Sequence, residues 1–278
     1  MKLTVVMVTT YIIECFMIGT KPCKYFQLNS PHFNNEKGVF SKIDLDRLIP
    51  DKWRLAQRYD DDAYFPETYP VFLKPEWGEN ASGIFRADDR ESLIEIRAKT
   101  KNSRVPYIIQ QGAREANEYE IFGLRHHKDK NQHCIFSVTL VKNELETNPI
   151  NSIHNPGTRY HEITDDLSDS QKQTLWDLMG QIGRFGIFRI SVRSDSVDDL
   201  LEGRFHVIEL NLFNPMPIHL LDRKYSKWDL WKINLKYMYL LARVTKYRDK
   251  SLKEYPIYTK IRFYNRENKF VNLVRERL

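Results

Sequence analysis

Between Phe188 and Arg193 apolar and polar residues alternate without a break, with Phe188, Ile190 and Val192 on one side and Arg189, Ser191 and Arg193 on the other. Residues two apart on a strand share a face. The run therefore predicts a strand with one face in a core and two arginines on the opposite face. A second run, Arg204-Phe-His-Val-Ile-Glu-Leu-Asn211, ends with Glu209 and Asn211 two positions apart, so both side-chain oxygens project into one small volume. A carboxylate beside an amide carbonyl is a hard-oxygen pair suited to Mg²⁺, which keeps waters and phosphate oxygens as its other ligands. An ordinary exposed strand end has the same pattern, and the pair gains meaning only from other segments.

The remaining elements are mixed. Helical patterning runs through Leu3–Ile18, Ile43–Leu48 (stopped by Pro50), Arg90–Lys99 and Trp228–Leu241. Ser168 caps a further helix through Arg184, with Leu175, Leu178, Met179 and Ile182 as its apolar stripe. Lys24–Leu28, Val71–Pro75, Val105–Gln111 and Tyr119–Leu124 read as strands. Ile121–Arg125 and Cys134–Val141 form a hairpin about Asp129–Gln132. No βαβ rhythm repeats, so the class is α+β.

The apolar share of 41% and charged share of 29% describe a soluble globular chain. The net charge of +6 is uneven: Arg248 to Leu278 holds nine Lys/Arg against four Asp/Glu, leaving about +1 for the rest. That argues against a nucleic-acid-binding core. Cys15, Cys23 and Cys134 form no Cys-x-x-Cys pair and no disulfide framework, which fits a reducing cytoplasm. Leu3–Ile18 is short for a membrane span and carries Glu14. It reads as a buried helix using Val5, Val6, Ile12, Ile13 and Phe16, with an export signal as the lesser alternative.

Two segments supply further polar chemistry. Lys74 ends a strand and precedes a loop with Gly78 and Gly83, a combination that holds polyphosphate with an ammonium and loop amides. The Walker order is absent, and a structural lysine is the competing account. Tyr107–Gln111 breaks at Gly112, offering backbone groups to a planar base, and Glu118 is placed to accept from ribose hydroxyls; a turn with solvated acids competes.

The succession Phe72-Leu-Lys-Pro75, Ile108-Ile-Gln-Gln111, Glu118-Tyr-Glu-Ile121 and Ile208-Glu-Leu-Asn211 resembles the ATP-grasp superfamily, most of all carboxylate–amine ligases of the D-alanine–D-alanine ligase type. The resemblance covers about Ser41 to Asp222. Ser41–Asp44, Asn155–Arg159 and Leu221-Asp222 also look like a bacterial subgroup of ligase-like proteins. It implies two α+β lobes closing over ATP: an abbreviated N-terminal region 1–40, a small lobe 41–113, a large lobe 114–247 with the metal site, and a basic tail 248–278. It implies that Lys74, with Lys42, contacts the phosphates, and that Gly78, Glu79 and Gly83 belong to the phosphate-covering loop. Gln110, Gln111, Gly112 and Ala113 would form the adenine hinge and Glu118 the ribose acceptor. Arg189 would steady developing negative charge, while Glu209 and Asn211 would ligate Mg²⁺. Arg193, His154 and Thr158 are substrate-side candidates, Arg193 having a salt bridge to a neighbouring strand as its alternative.

Three departures stand out against this pattern. Ser191 replaces a usual aspartate, removing a metal carboxylate. Ala81 stands where a glycine is common, and Gln111 replaces a frequent glutamate. The expected activity is an ATP- and Mg²⁺-dependent ligase joining a carboxylate to an amine through an acylphosphate. A nucleotide-binding protein that has lost ligation is the main alternative, and phosphotransfer to a small acceptor a third. The partners are small-molecule acid and amine substrates, without nucleic acid or membrane; a homodimer stays open. His126, His127 and His133 flank the hairpin turn without a zinc-like spacing and read as exposed. Trp77 is singled out by its place in the phosphate loop.

Overall fold

A computed structural model describes residues 3–78, 81–129, 131–145 and 150–249. Its elements are α1 (Leu3–Met17), α2 (Lys42–Asp46), β1 (Gln57–Tyr59), β2 (Val71–Pro75), β3 (Phe85–Ala87), α3 (Arg90–Thr100), β4 (Tyr107–Gln111), β5 (Asn117–Arg125), β6 (His133–Asn143), β7 (Thr158–Glu162), α4 (Asp169–Ile182), β8 (Ile187–Ser194), α5 (Val197–Leu201), β9 (His206–Asn211) and α6 (Lys227–Lys246). The class is α+β, as expected. Among the described residues two antiparallel sheets form, one ordered β1-β4-β2-β3 and the other β7-β6-β5-β8-β9. No helix among the described residues is long and apolar enough to cross a membrane.

The small sheet is closed on one side by α3, whose Leu93 and Ile96 bury against Val71, Leu73 and Ile109. Asp89 caps this helix by accepting from the Ser92 amide, and the Ser92 hydroxyl returns the contact to the Asp89 amide. In the large sheet, alternation divides the side chains as the sequence indicates. Phe188, Ile190 and Val192 join Tyr119 and Ile121 in the core beneath α4, with Leu175, Trp176, Met179 and Ile182. Ser168 caps α4 through the Gln171 amide.

The other face of the same strands changes character along its length. Phe122, Leu124, Ile135 and Ile187 lie under α1 and α6. Further along, Glu118 and Glu120 on β5 and Arg189 and Arg193 on β8 line a cavity instead. One sheet face is thus half core and half polar site.

The N-terminal segment departs from expectation twice. Lys24–Leu28 is not a strand: Pro22–Gln27 forms a 3-10 turn with proline in its first turn, where a fixed φ and a missing N–H cost nothing. Helix α1 forms, but it buries Met7, Thr10, Tyr11 and Cys15. Val5, Ile12, Ile13 and Phe16 are exposed instead. Apolar residues ring this helix, so the face is chosen by packing against α6, where the Tyr11 hydroxyl meets Thr245 Oγ1 at 3.0 Å. Nearby, buried Asn29 donates from Nδ2 to the carbonyls of Ile187 (2.6 Å) and Leu212 (2.9 Å). Its Oδ1 accepts from the Gly186 amide at 2.9 Å.

Candidate active site

The two sheets face each other across a cavity of about 370 Å³. Lys42, Lys74, Gly78, Gln110, Gln111 and Ala113 line it from one side, and Glu118, Arg189, Arg193, Glu209 and Asn211 from the other. The candidates drawn from separate segments therefore share one space.

Strand register builds the large-sheet wall. Ser191 is paired with Glu120 on β5 and with Glu209 on β9. One row across three strands thus reads Glu120, Ser191, Glu209. The next reads Phe122, Arg189, Asn211. Arg189 Nε lies 3.1 Å from Glu120 Oε2, and Ser191 Oγ donates to Glu120 Oε1 at 2.9 Å. Burial pushes the Glu120 carboxyl up to about 7, against the pull of Arg189. For Glu209 burial acts upward too, but the charges of Lys42, Arg189 and Lys74 outweigh it and hold the carboxyl below its ordinary value. Lys42 Nζ is 3.6 Å from Glu209 Oε1.

The register slips once between β8 and β9: Ser191 pairs with Glu209, but Val192 pairs with Val207. Ile208 is the extra residue, a bulge that leaves its carbonyl outside the ladder. That carbonyl accepts from Lys74 Nζ at 3.2 Å and from Gln110 Nε2 at 3.4 Å. Lys74 also donates to Gln110 Oε1 at 2.5 Å. Burial, helped by the charge of Lys42, brings the Lys74 ammonium down from 10.5 to about 8. A buried cation held by two neutral acceptors remains short of negative charge, and a phosphate oxygen would meet that need.

The proposed hinge divides by role. Gln111 and Ala113 line the cavity, whereas the Gly112 amide donates to the Pro70 carbonyl at 2.9 Å. A Cβ on Gly112 would lie 2.7 Å from that oxygen, so its glycine serves close backbone approach. Gln110, also in the lining, accepts from Lys74 Nζ and donates to the Ile208 carbonyl. In the loop after β2, expected to cover phosphate, Gly83 has φ +72° and Ala81 has φ 56°; Glu79 lies outside the described residues. Trp77 lines a small cleft beside the cavity, together with Lys42, Glu209 and Asn211.

Glu118 accepts from Asn151 Nδ2 at 2.9 Å, and burial raises its carboxyl above the ordinary value. Arg193, paired opposite Glu118, donates to the Ala116 carbonyl at 2.9 Å and faces the cavity. The loop lining is contributed by Ile150, Asn151, Ser152 and Ile153. His154 is exposed and Thr158 is buried, its Oγ1 accepting from the Ser152 amide at 3.1 Å; neither is brought into the cavity lining. The histidines by the β5–β6 turn are partly buried, His133 standing edge-on to Trp176. Sequence reading passed over Glu120, Asn151 and Tyr160, all of which line the cavity. For Glu120 the signal was present, since it stands two positions beyond Glu118 on one strand.

The donor set fits a hard divalent ion: Glu209 and Asn211, a carboxylate and an amide two positions apart on β9, both line the cavity. Among the described residues no cluster of three or more His, Cys, Asp or Glu side chains stands ready to bind a metal. A cation here would therefore depend on amide, water and phosphate oxygen as well.

Comparison with known proteins gives the fold. The chain superposes on D-alanine–D-alanine ligase from Bacillus anthracis with a TM-score of 0.50 at 13% identity, covering 74% of this chain and 67% of that one. L-amino acid ligase from Bacillus licheniformis aligns at 0.46 and 15%, covering 74% and 47%. D-alanine–D-alanine ligase from Helicobacter pylori aligns at 0.45 and 16%, covering 75% and 60%. The fold is of the ATP-grasp kind, as the sequence resemblance implies. The chain spans about half to two-thirds of these ligases' length (47%, 60% and 67%). No family model and no curated protein matches it.

Proposed function

We propose that this protein is an ATP- and Mg²⁺-dependent ligase that joins a carboxylate to an amine through an acylphosphate. One observation carries the reading: Lys42 and Lys74 meet Arg189, Glu209 and Asn211 across a single cavity between two sheets. Lys42 and Lys74 neutralise phosphate oxygens, and Gly78, Ala81 and Ser82 line the same cavity. Bound Mg²⁺ would supply further charge neutralisation on those oxygens from Glu209 and Asn211. A substrate carboxylate oxygen attacks the γ-phosphorus and ADP leaves. The amine then attacks the acyl carbon and inorganic phosphate departs. Arg189 stabilises the negative charge that develops in both steps, and Arg193 offers a guanidinium to the substrate carboxylate. Such a site works by positioning and electrostatics and needs no nucleophilic side chain.

The test is release of ADP and phosphate by the purified protein, dependent on both an acid and an amine. Lys74→Ala and Glu209→Ala each abolish it; retention of release in either variant removes the assignment. Ser191, neutral in the middle of the polar wall, favours the second reading of a nucleotide-binding protein without ligation. ATP binding that ignores Mg²⁺, with no turnover over broad panels of acids and amines, would establish that one.

A further inference from the structure

We propose that Glu120 on β5 is a direct carboxylate ligand of the divalent cation, serving with Glu209 and Asn211 on β9 across the short side chain of Ser191. The inference rests on the nucleotide-binding reading above and extends it to a residue outside the β8–β9 pair. Its basis is register. Glu120, Ser191 and Glu209 occupy one row of three adjacent strands and one face of the sheet. Directly opposed residues on neighbouring strands stand about 5 Å apart at Cβ, so the two glutamates begin roughly 10 Å from each other. Glutamate side chains leaning inward from both sides close that gap around an ion with metal–oxygen distances of about 2.0–2.1 Å. A serine between them leaves the room.

The state of the Glu120 carboxylate supports this. Glu120 is 9% exposed, and its Oε1 accepts from Ser191. Its Oε2 is buried and accepts no hydrogen bond, although Arg189 Nε lies 3.1 Å away. A buried acceptor without a donor is costly unless something completes it. Arg189 balances its charge without satisfying its lone pairs, and a cation in the adjoining cavity does both. The negative charge that Ser191 lacks is thus present one strand over.

The measurement is the affinity of the full-length protein for a non-hydrolysable ATP analogue, taken once with Mg²⁺ and once with EDTA. In the wild-type protein Mg²⁺ tightens binding. Glu120→Gln, of the same size, loses tenfold or more of the Mg²⁺-dependent affinity, the scale on which metal sites respond even to their supporting residues, while the EDTA value holds. Glu120→Asp keeps the charge but shortens the reach, and it loses a comparable factor. Adding Ser191→Asp to Glu120→Gln recovers the Mg²⁺ response. If Glu120→Asp retains the full response, Glu120 only neutralises Arg189 and the proposal is overturned while the nucleotide reading survives. If the wild-type protein binds the analogue in neither condition, both fall together.

Discussion

Lys74 is a costly residue in the site, because its charge is buried. Its folded value of about 8 lies below the ordinary 10.5, so between those limits the unfolded chain holds a proton that the folded chain has lost. Stability therefore rises with pH through that window, and below about pH 8 the full penalty of burying the charge is present. Lys74→Met is expected to eliminate nucleotide affinity and yet raise stability at pH 7, by about 1–2 kcal/mol once the lost contacts to Gln110 and Ile208 are subtracted from the desolvation gain. The advantage shrinks towards pH 10. Urea denaturation at several pH values checks it, and a variant less stable at pH 7 would refute it. Ala81 presents the opposite case. Its φ of 56° costs an L-residue about 1–2 kcal/mol, while glycine would add roughly 0.4–1 kcal/mol of unfolded-state freedom. Ala81→Gly is expected to stabilise by up to about 1 kcal/mol, read in the same denaturation experiment. The departure noted in the sequence is therefore a strained backbone position as well as a change of composition.

The strands and helices with strong periodicity were legible from residues alone. Val71–Pro75 matches β2 at both ends, and the alternation of Phe188–Val192 assigned both faces of β8 correctly. Lys24–Leu28 was misread because Tyr25 and Phe26 look like strand residues, whereas their rings pack edge-on to Tyr11 and stack on Phe213. Tertiary contact overrode local preference. The same limit applies to Gly123, which carries no signal in a one-dimensional pattern. A Cβ there would lie 2.4 Å from the Phe188 ring and 2.8 Å from Trp176. Gly123→Ala is expected to destabilise by about 1–3 kcal/mol as α4 is pushed from β5. A loss in thermal unfolding confined to a few tenths of a kcal/mol would show that the rings give way instead.

How the two sheets meet was hidden from sequence in one respect and open in another. Motif order placed Lys74 and the Glu209–Asn211 pair in one site, but register slips are invisible without pairing partners, so the bulge at Ile208 and the row through Glu120 appeared only in three dimensions. Asn29 shows how far this extends. Nothing around it suggests a role, yet its one amide ties the start of β8 to the residue that follows β9. Asn29→Leu, near in volume, would leave two carbonyls and an amide without partners at a cost of several kcal/mol, together with weaker nucleotide binding. Equilibrium unfolding measures the first and analogue titration the second. A variant with wild-type values in both would show that the strand ends hold without the tie.

That amide also decides where the protein can be cut. A fragment trimmed to begin near residue 41 would keep every side chain of the cavity while discarding the clasp between the start of β8 and the end of β9, along with one of the two helices over the apolar half of the sheet face. Such a fragment is expected to be insoluble, and the leading forty residues belong with the two strands they tie together.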